Sequence, residues 1–195
     1  MTVCVFTHKQ ETPQESIMLT TEAITATPSY PPSSRLMHPI SLSEATARVE
    51  RIDLAVLKLK LCNSSEGPGW SHEYYLDVER EYRRFIIMNL IFPDRKMAPS
   101  KDVDEMWHYH ILDTRKYASD CEQHIGVFLH HFPYLGLRGG SDPELLALAG
   151  NATLDSYVEA FGEQPRADVW WARVLPTDIG AAHCANSCYC SCNGD

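Results

Sequence analysis

The 195-residue sequence has no apolar run of about 18 residues, the length a bilayer-crossing helix needs. Its longest greasy stretch, Phe85 to Phe92, is interrupted by Asn89, so no membrane partner is expected. Positive charge is scarce: 17 Lys and Arg stand against 26 Asp and Glu, a net charge of −9. A protein that grips a phosphate backbone needs a basic face, so nucleic acid is not an expected partner, nor is an anionic membrane surface. Residues 1–14 lack a basic segment followed by an apolar one, and a secretory signal is therefore not expected. No internal repeat and no convincing strand-period run is found. The seven cysteines, at 4, 62, 121, 184, 188, 190 and 192, are odd in number and scattered, unlike a small secreted disulfide framework. A reducing cytoplasm is the expected compartment.

What is present suits a folded domain. Apolar residues make up 44% and aromatics 10% of the chain, enough for a sizeable core, and the length fits one domain plus a tail. Residues 1–40 hold seven Thr, four Ser and five Pro, a composition with few apolar anchors that reads as a flexible leader. The chain thus divides into a leader (1–40), a helical body (41–175) and a Cys-rich tail (176–195).

The body carries helical patterns. Ser41-Leu42-Ser43-Glu44 has capping-box spacing, with Val49, Ile52, Val56 and Leu59 following at helical intervals to about Cys62. Ser71 can cap a second helix bearing Leu76, Val78, Tyr82, Phe85, Ile86 and Leu90, which must stop before Pro93. A third is expected from Ser100 to Gly126, a suitable terminator. A fourth starts at Ser141-Asp142-Pro143-Glu144, with proline at a first-turn position, and Thr153 to Phe161 can add another. These predict a mainly α fold, a small helical bundle with irregular loops.

Chemistry concentrates in the third helix and the loop after it. Five of the nine histidines, His108, His110, His124, His130 and His131, fall within 24 residues. On a helix at about 100° per residue, His108 and His110 lie about 200° apart, so one ion cannot take both from an undistorted helix. Asp104 with His108, and Asp120 with His124, are spaced i,i+4, which brings carboxylate and imidazole together. The His130-His131 loop can fold back to complete a site. Two or three imidazoles with one carboxylate suit a transition-metal ion, Zn, Fe or Cu. Asp104, His108 and His110 are the candidate catalytic residues, and the five histidines are the candidate ligands. Two alternatives remain open: histidines that anchor the loop structurally, and metal-free acid–base chemistry by His108 or His110 with a carboxylate.

The pattern Val103-Asp104-x-x-Trp107-His108-x-His110-x-Leu112, followed by Tyr117-x-x-Asp120-Cys121, resembles the signature of the glycine-rich domain-containing-protein-like family, in a short bacterial-type form, over roughly residues 45–140. The glycine-rich extension and RNA-binding module of the plant members are not found here. The resemblance implies that Asp104, Trp107, His108, His110, Tyr117, Asp120 and Cys121 form a motif, and it implies no chemistry.

A second signal lies in the tail, where Cys184, Cys188, Cys190 and Cys192 occupy nine residues. Their C-x-C-x-C run does not match the paired spacing of zinc ribbons. It matches loose thiolate binding of soft ions such as Cu(I) or Zn; a redox or thiol-modified segment and an inert tail are the competing readings. The function expected is a metal-binding helical protein, in one form a metal-dependent oxidoreductase acting on a peptide or small molecule through the His-rich site. The alternative is a non-enzymatic metal-handling or adaptor protein that uses the tail.

Overall fold

The computed structural model describes residues 38–174. Most of the leader, and the tail with its four clustered cysteines, lie outside the described residues, as does Cys4. Within them the structure is helical and contains no strand, in agreement with the mainly α expectation.

Ser41 starts α1 (Leu42–Val49), its hydroxyl accepting from the Glu44 backbone N–H at 3.2 Å. This helix is shorter than its periodicity predicts. The Asp53 carboxylate accepts from the Ala55 N–H at 3.0 Å and opens a new 3₁₀ turn, Ala55–Leu57, which runs into α2 (Lys58–Leu61). Side chains of Asp compete with the helix for backbone donors in this way. The break changes which residues are buried: Leu54, Leu57 and Leu61 join Val49 and Ile52 in the core, while Val56 and Leu59 are exposed, Leu59 to 74%.

The spine of the fold is α3 (His72–Ile91), capped by Ser71 as expected and ending just before Pro93. It packs against α1, α4 and α6. Val78, Tyr82, Phe85, Ile86 and Leu90 are buried as their spacing predicts, whereas Leu76 faces solvent. The arginines of α3 are structural. Arg83 donates to the carbonyls of Val49 (2.7 Å) and Ile52 (2.9 Å) and pairs with Glu79, so it ties α3 to the last residue of α1 and the turn after it. Arg80 pairs with Asp77, and Arg84 with Glu163.

The single helix expected from Ser100 to Gly126 is three segments. These are α4 (Lys101–Leu112), α5 (Thr114–Asp120) and a π-helical turn, Cys121–Ile125, closed by Gly126 at φ 87°. Asp113 makes the break: with ψ 71° it leaves the helical region, and its carboxylate accepts from the Lys116 N–H to cap α5. Conversely, the two helices expected after Ser141 are one, α6 (Asp142–Phe161). Thr153 does not start a new helix; its hydroxyl donates to carbonyl oxygens and accepts from the Ala98 N–H, tying α6 to the segment before α4.

A buried clasp fixes α4, α5 and α3 together. His110 is wholly buried, with Nδ1 2.9 Å from the Tyr82 hydroxyl and Nε2 2.9 Å from Asp120 Oδ2. In a continuous helix, residues ten apart lie about 15 Å apart along the axis, so this contact exists only because the chain folds back at Asp113. The carboxylate accepts, so Nε2 carries the hydrogen; Nδ1 then accepts from the Tyr82 O–H. Lys116 Nζ, 2.8 Å from the same oxygen, balances the Asp120 charge. Burial pushes His110 below its ordinary value against the opposing pull of Asp120, and burial also holds the Tyr82 phenol well up.

After α6, Trp170 returns to α3. It is buried, and its indole N–H donates to Glu81 Oε2 at 2.8 Å. Trp170→Ala opens a cavity and leaves the Glu81 carboxylate without this donor. The expected loss is about 3–5 kcal/mol of stability, measured by urea unfolding. An unchanged midpoint would show that the segment after α6 is not part of the core.

The clasp also makes stability pH-dependent. A base whose folded pKa is depressed binds fewer protons folded than unfolded, so its contribution is complete above the unfolded value of 6.5 and is lost as the pH falls below it. His110→Gln removes this titration. Between about pH 8 and about pH 5 the wild type should lose more stability than the variant; parallel curves would contradict the neutral clasp.

Candidate metal centre

The site is built from one turn of α4 and the segment that follows Gly126. Ser100 caps α4 through the Val103 N–H at 3.3 Å. Asp104 and His108 then stand one turn apart on a half-buried face, while Val103, Met106, Trp107 and His110 turn inward. Beyond Gly126, burial alternates along the chain. Val127, Leu129 and His131 are half-buried, and Phe128 and His130 are exposed. Alternation of this kind belongs to extended backbone, and it selects His131 over His130.

His131 meets the i,i+4 pair from across the site. Its Nε2 lies 2.7 Å from Asp104 Oδ1 and 3.2 Å from His108 Nε2, and His108 Nε2 is 3.4 Å from Asp104 Oδ2. One donor atom from each residue falls within 4.8 Å of the others, the group of metal-ligating type found among the described residues. Donors held about 2.0–2.1 Å from a shared ion are themselves roughly 3.0–3.4 Å apart. The two contacts of His108, at 3.2 and 3.4 Å, fit that requirement, while the 2.7 Å contact of His131 with Asp104 is a hydrogen bond that an ion between them would have to widen. Both imidazoles aim Nε2 at the same gap, and two nitrogens at 3.2 Å cannot both carry hydrogen. At least one therefore presents a lone pair beside the carboxylate. Side-chain exposures of 12% for His131, 18% for Asp104 and 27% for His108 keep each of the three in partial contact with solvent.

Support for His131 comes from aromatic residues. The Trp107 ring meets the His131 ring edge-on, with centroids 4.7 Å apart. Trp107 Nε1 donates to the Tyr117 hydroxyl at 2.9 Å, and that hydroxyl donates to the Leu129 carbonyl at 2.5 Å, two residues before His131. Burial pushes up both the Tyr117 phenol and the neighbouring Cys121 thiol, so the two stay protonated.

The five histidines expected as ligands thus separate. His108 and His131 come together with Asp104. His110 sits in the clasp, where both ring nitrogens are engaged. His130 packs against the Phe128 ring, with centroids 4.9 Å apart. His124 lies on the π-helical turn and has a buried Nδ1 without a hydrogen-bond partner; Asp120, expected as its partner, is held instead by His110 and Lys116. The thiols of Cys184, Cys188, Cys190 and Cys192 fall outside the described residues. Sequence reasoning missed the roles of Tyr82 and Lys116 in the clasp, since nothing in linear spacing signals a contact made across the break at Asp113.

A turn follows His131 at residues 133–137. Gly136 has φ 93°, and its N–H donates to Asp142 Oδ2 at 2.6 Å, while Arg138 also pairs with that carboxylate. These contacts hold the segment after His131 to the start of α6.

No curated protein and no solved structure matches the chain. Residues 55–144 match the model of a family described as UCP032817-like, which is uncharacterised. This corrects the resemblance drawn from the Asp104–Cys121 pattern: the stretch that carries the motif is similar to the UCP032817-like family, not to the glycine-rich domain-containing-protein-like family. The matched stretch contains Asp104, His108 and His131, the full set of converging side chains.

Proposed function

We propose that the chain is a metal-binding protein that holds one divalent transition-metal ion through Asp104, His108 and His131. The observation that carries this reading is the return of His131, 27 positions on in the chain, to an i,i+4 Asp–His pair with all the donor atoms aimed at one gap. Two imidazoles and a carboxylate favour Fe(II) or Zn(II) over the soft Cu(I) ion, which prefers thiolates. Three protein ligands with an open side is also the arrangement of reactive rather than purely structural centres. A bound ion there would supply Lewis acidity, and iron would add one-electron chemistry. The finer reading is a metal-dependent oxidoreductase for a small molecule or peptide, supported by the two-His-one-carboxylate donor set alone. In it Asp104 and His108 hold the ion from a rigid helix, His131 closes the third side, and the solvent-facing side admits the substrate.

Elemental analysis of protein purified without added metal tests the reading. The wild type should carry a single ion per chain, which Asp104→Asn, His108→Ala and His131→Ala each lower. His124→Ala and His130→Ala should leave it unchanged. A metal-free wild type, or full occupancy in the His131 variant, would return these three residues to a purely structural hydrogen-bonded cluster.

A further inference from the structure

We infer that the hydrogen-bond chain Trp107–Tyr117–Leu129 positions His131 for metal binding, with Tyr117 as its central member. This rests on the metal reading above and adds a regulator of the site that touches no ligand atom. His131 is the one donor of the three that comes from a loop. Asp104 and His108 are fixed by α4, but a loop residue needs something to set its backbone, and the two contacts that do so converge on one hydroxyl. Tyr117 Oη accepts from Trp107 Nε1 at 2.9 Å and donates to the Leu129 carbonyl at 2.5 Å. The Trp107 indole, oriented by the first of these bonds, forms the wall against which the His131 ring rests. Both partners of the Tyr117 hydroxyl therefore act on the same imidazole, one through the backbone and the other through the ring.

The rest of the Tyr117 environment supports a positioning role. Its ring is fixed edge-on between His110 (4.9 Å) and Phe128 (5.1 Å), and the side chain is 1% exposed. The hydroxyl is therefore held in place by the His110 clasp, independently of His131. Residues that orient metal ligands typically change affinity by roughly 10- to 100-fold when removed.

The test is a Co(II) titration, followed by visible absorption, of the full-length chain in which Cys184, Cys188, Cys190 and Cys192 are changed to serine so that only the nitrogen–oxygen site is read. Tyr117→Phe should weaken Co(II) binding by roughly 10- to 100-fold and move the d–d bands toward those of His131→Ala. Tyr75→Phe removes a buried hydroxyl of the same kind, bonded to the Leu54 carbonyl at 2.7 Å and away from both the clasp and the site; it should lower the melting temperature while keeping Co(II) affinity and spectrum. If Tyr117→Phe fails to fold, Trp107→Phe, which keeps a ring beside His131 but removes the N–H, should show the same spectral shift to a smaller degree. Unchanged affinity and bands in the folded Tyr117 or Trp107 variant would overturn the positioning role and leave the metal site intact. Equal weakening by Tyr75→Phe would also overturn it, because a general loss of rigidity would then suffice. A four-serine parent chain without a Co(II) spectrum overturns the metal reading itself, and this inference with it.

Discussion

The neutral His110 imidazole between Tyr82 and Asp120 is the contact on which the rest of this fold depends. It lies where α3, α4 and α5 meet, and it can form only if the chain reverses at Asp113. The bond geometry leaves a single satisfied tautomer, with a donor toward the carboxylate and an acceptor toward the phenol. Burial of a half-satisfied imidazole would be costly, so the three helices have one low-energy arrangement. Everything downstream inherits it. The position of α5 places Tyr117, the π-helical turn after it sets Gly126, and Gly126 releases the segment that carries His131 toward α4.

Two histidines two residues apart thus acquire opposite roles through helix rotation alone. His110 faces the core, is held neutral and has no free nitrogen. His108 is partly exposed beside a carboxylate, with Nε2 turned toward a second imidazole. The first joins three helices, and the second faces Asp104 and His131 at the candidate site. The aromatic layer between them, Trp107 and Tyr117, belongs to both, because each ring packs on a histidine and their shared hydrogen bond joins the clasp to the open site.

Much of this was legible in the residues. Caps at Ser41, Ser71 and Ser100, the stop before Pro93 and the proline near the start of α6 mark helix ends through local chemistry, and local chemistry survives folding. The Asp104–His108 pair and the returning His131 were equally accessible, since i,i+4 spacing and loop freedom are short-range arguments. What periodicity concealed were the breaks. Val56 and Leu59 continue a helical stripe that the Asp53 turn discards, and Met106 to Tyr117 reads as one helix although Asp113 has the side chain of a cap. Apolar spacing reports which face would be buried if the backbone continued; it cannot weigh a capping carboxylate against a further helical turn. The pairing of His110 with Asp120 follows from such a break and has no linear signature. His131 differs from His130 by the parity of an extended segment, a signal present in the alternating Val127, Leu129 and His131.

The π-helical turn has a further consequence. Its Gly126 N–H reaches back five residues to the Cys121 carbonyl at 2.7 Å, so it holds one residue more than an α-turn would. The extra residue alters the direction in which the following chain leaves, and single π-turns of this kind are frequent at functional sites. Here that exit direction decides which side chains of residues 127–131 face α4. Loss of a single residue between Cys121 and Gly126 would restore α-helical bonding and turn the departing segment by about 100°, which would carry His131 away from Asp104 and His108. The length of this turn, independent of the identity of its side chains, is therefore a coordinate of the site, and the chain should tolerate substitution there far more readily than insertion or deletion.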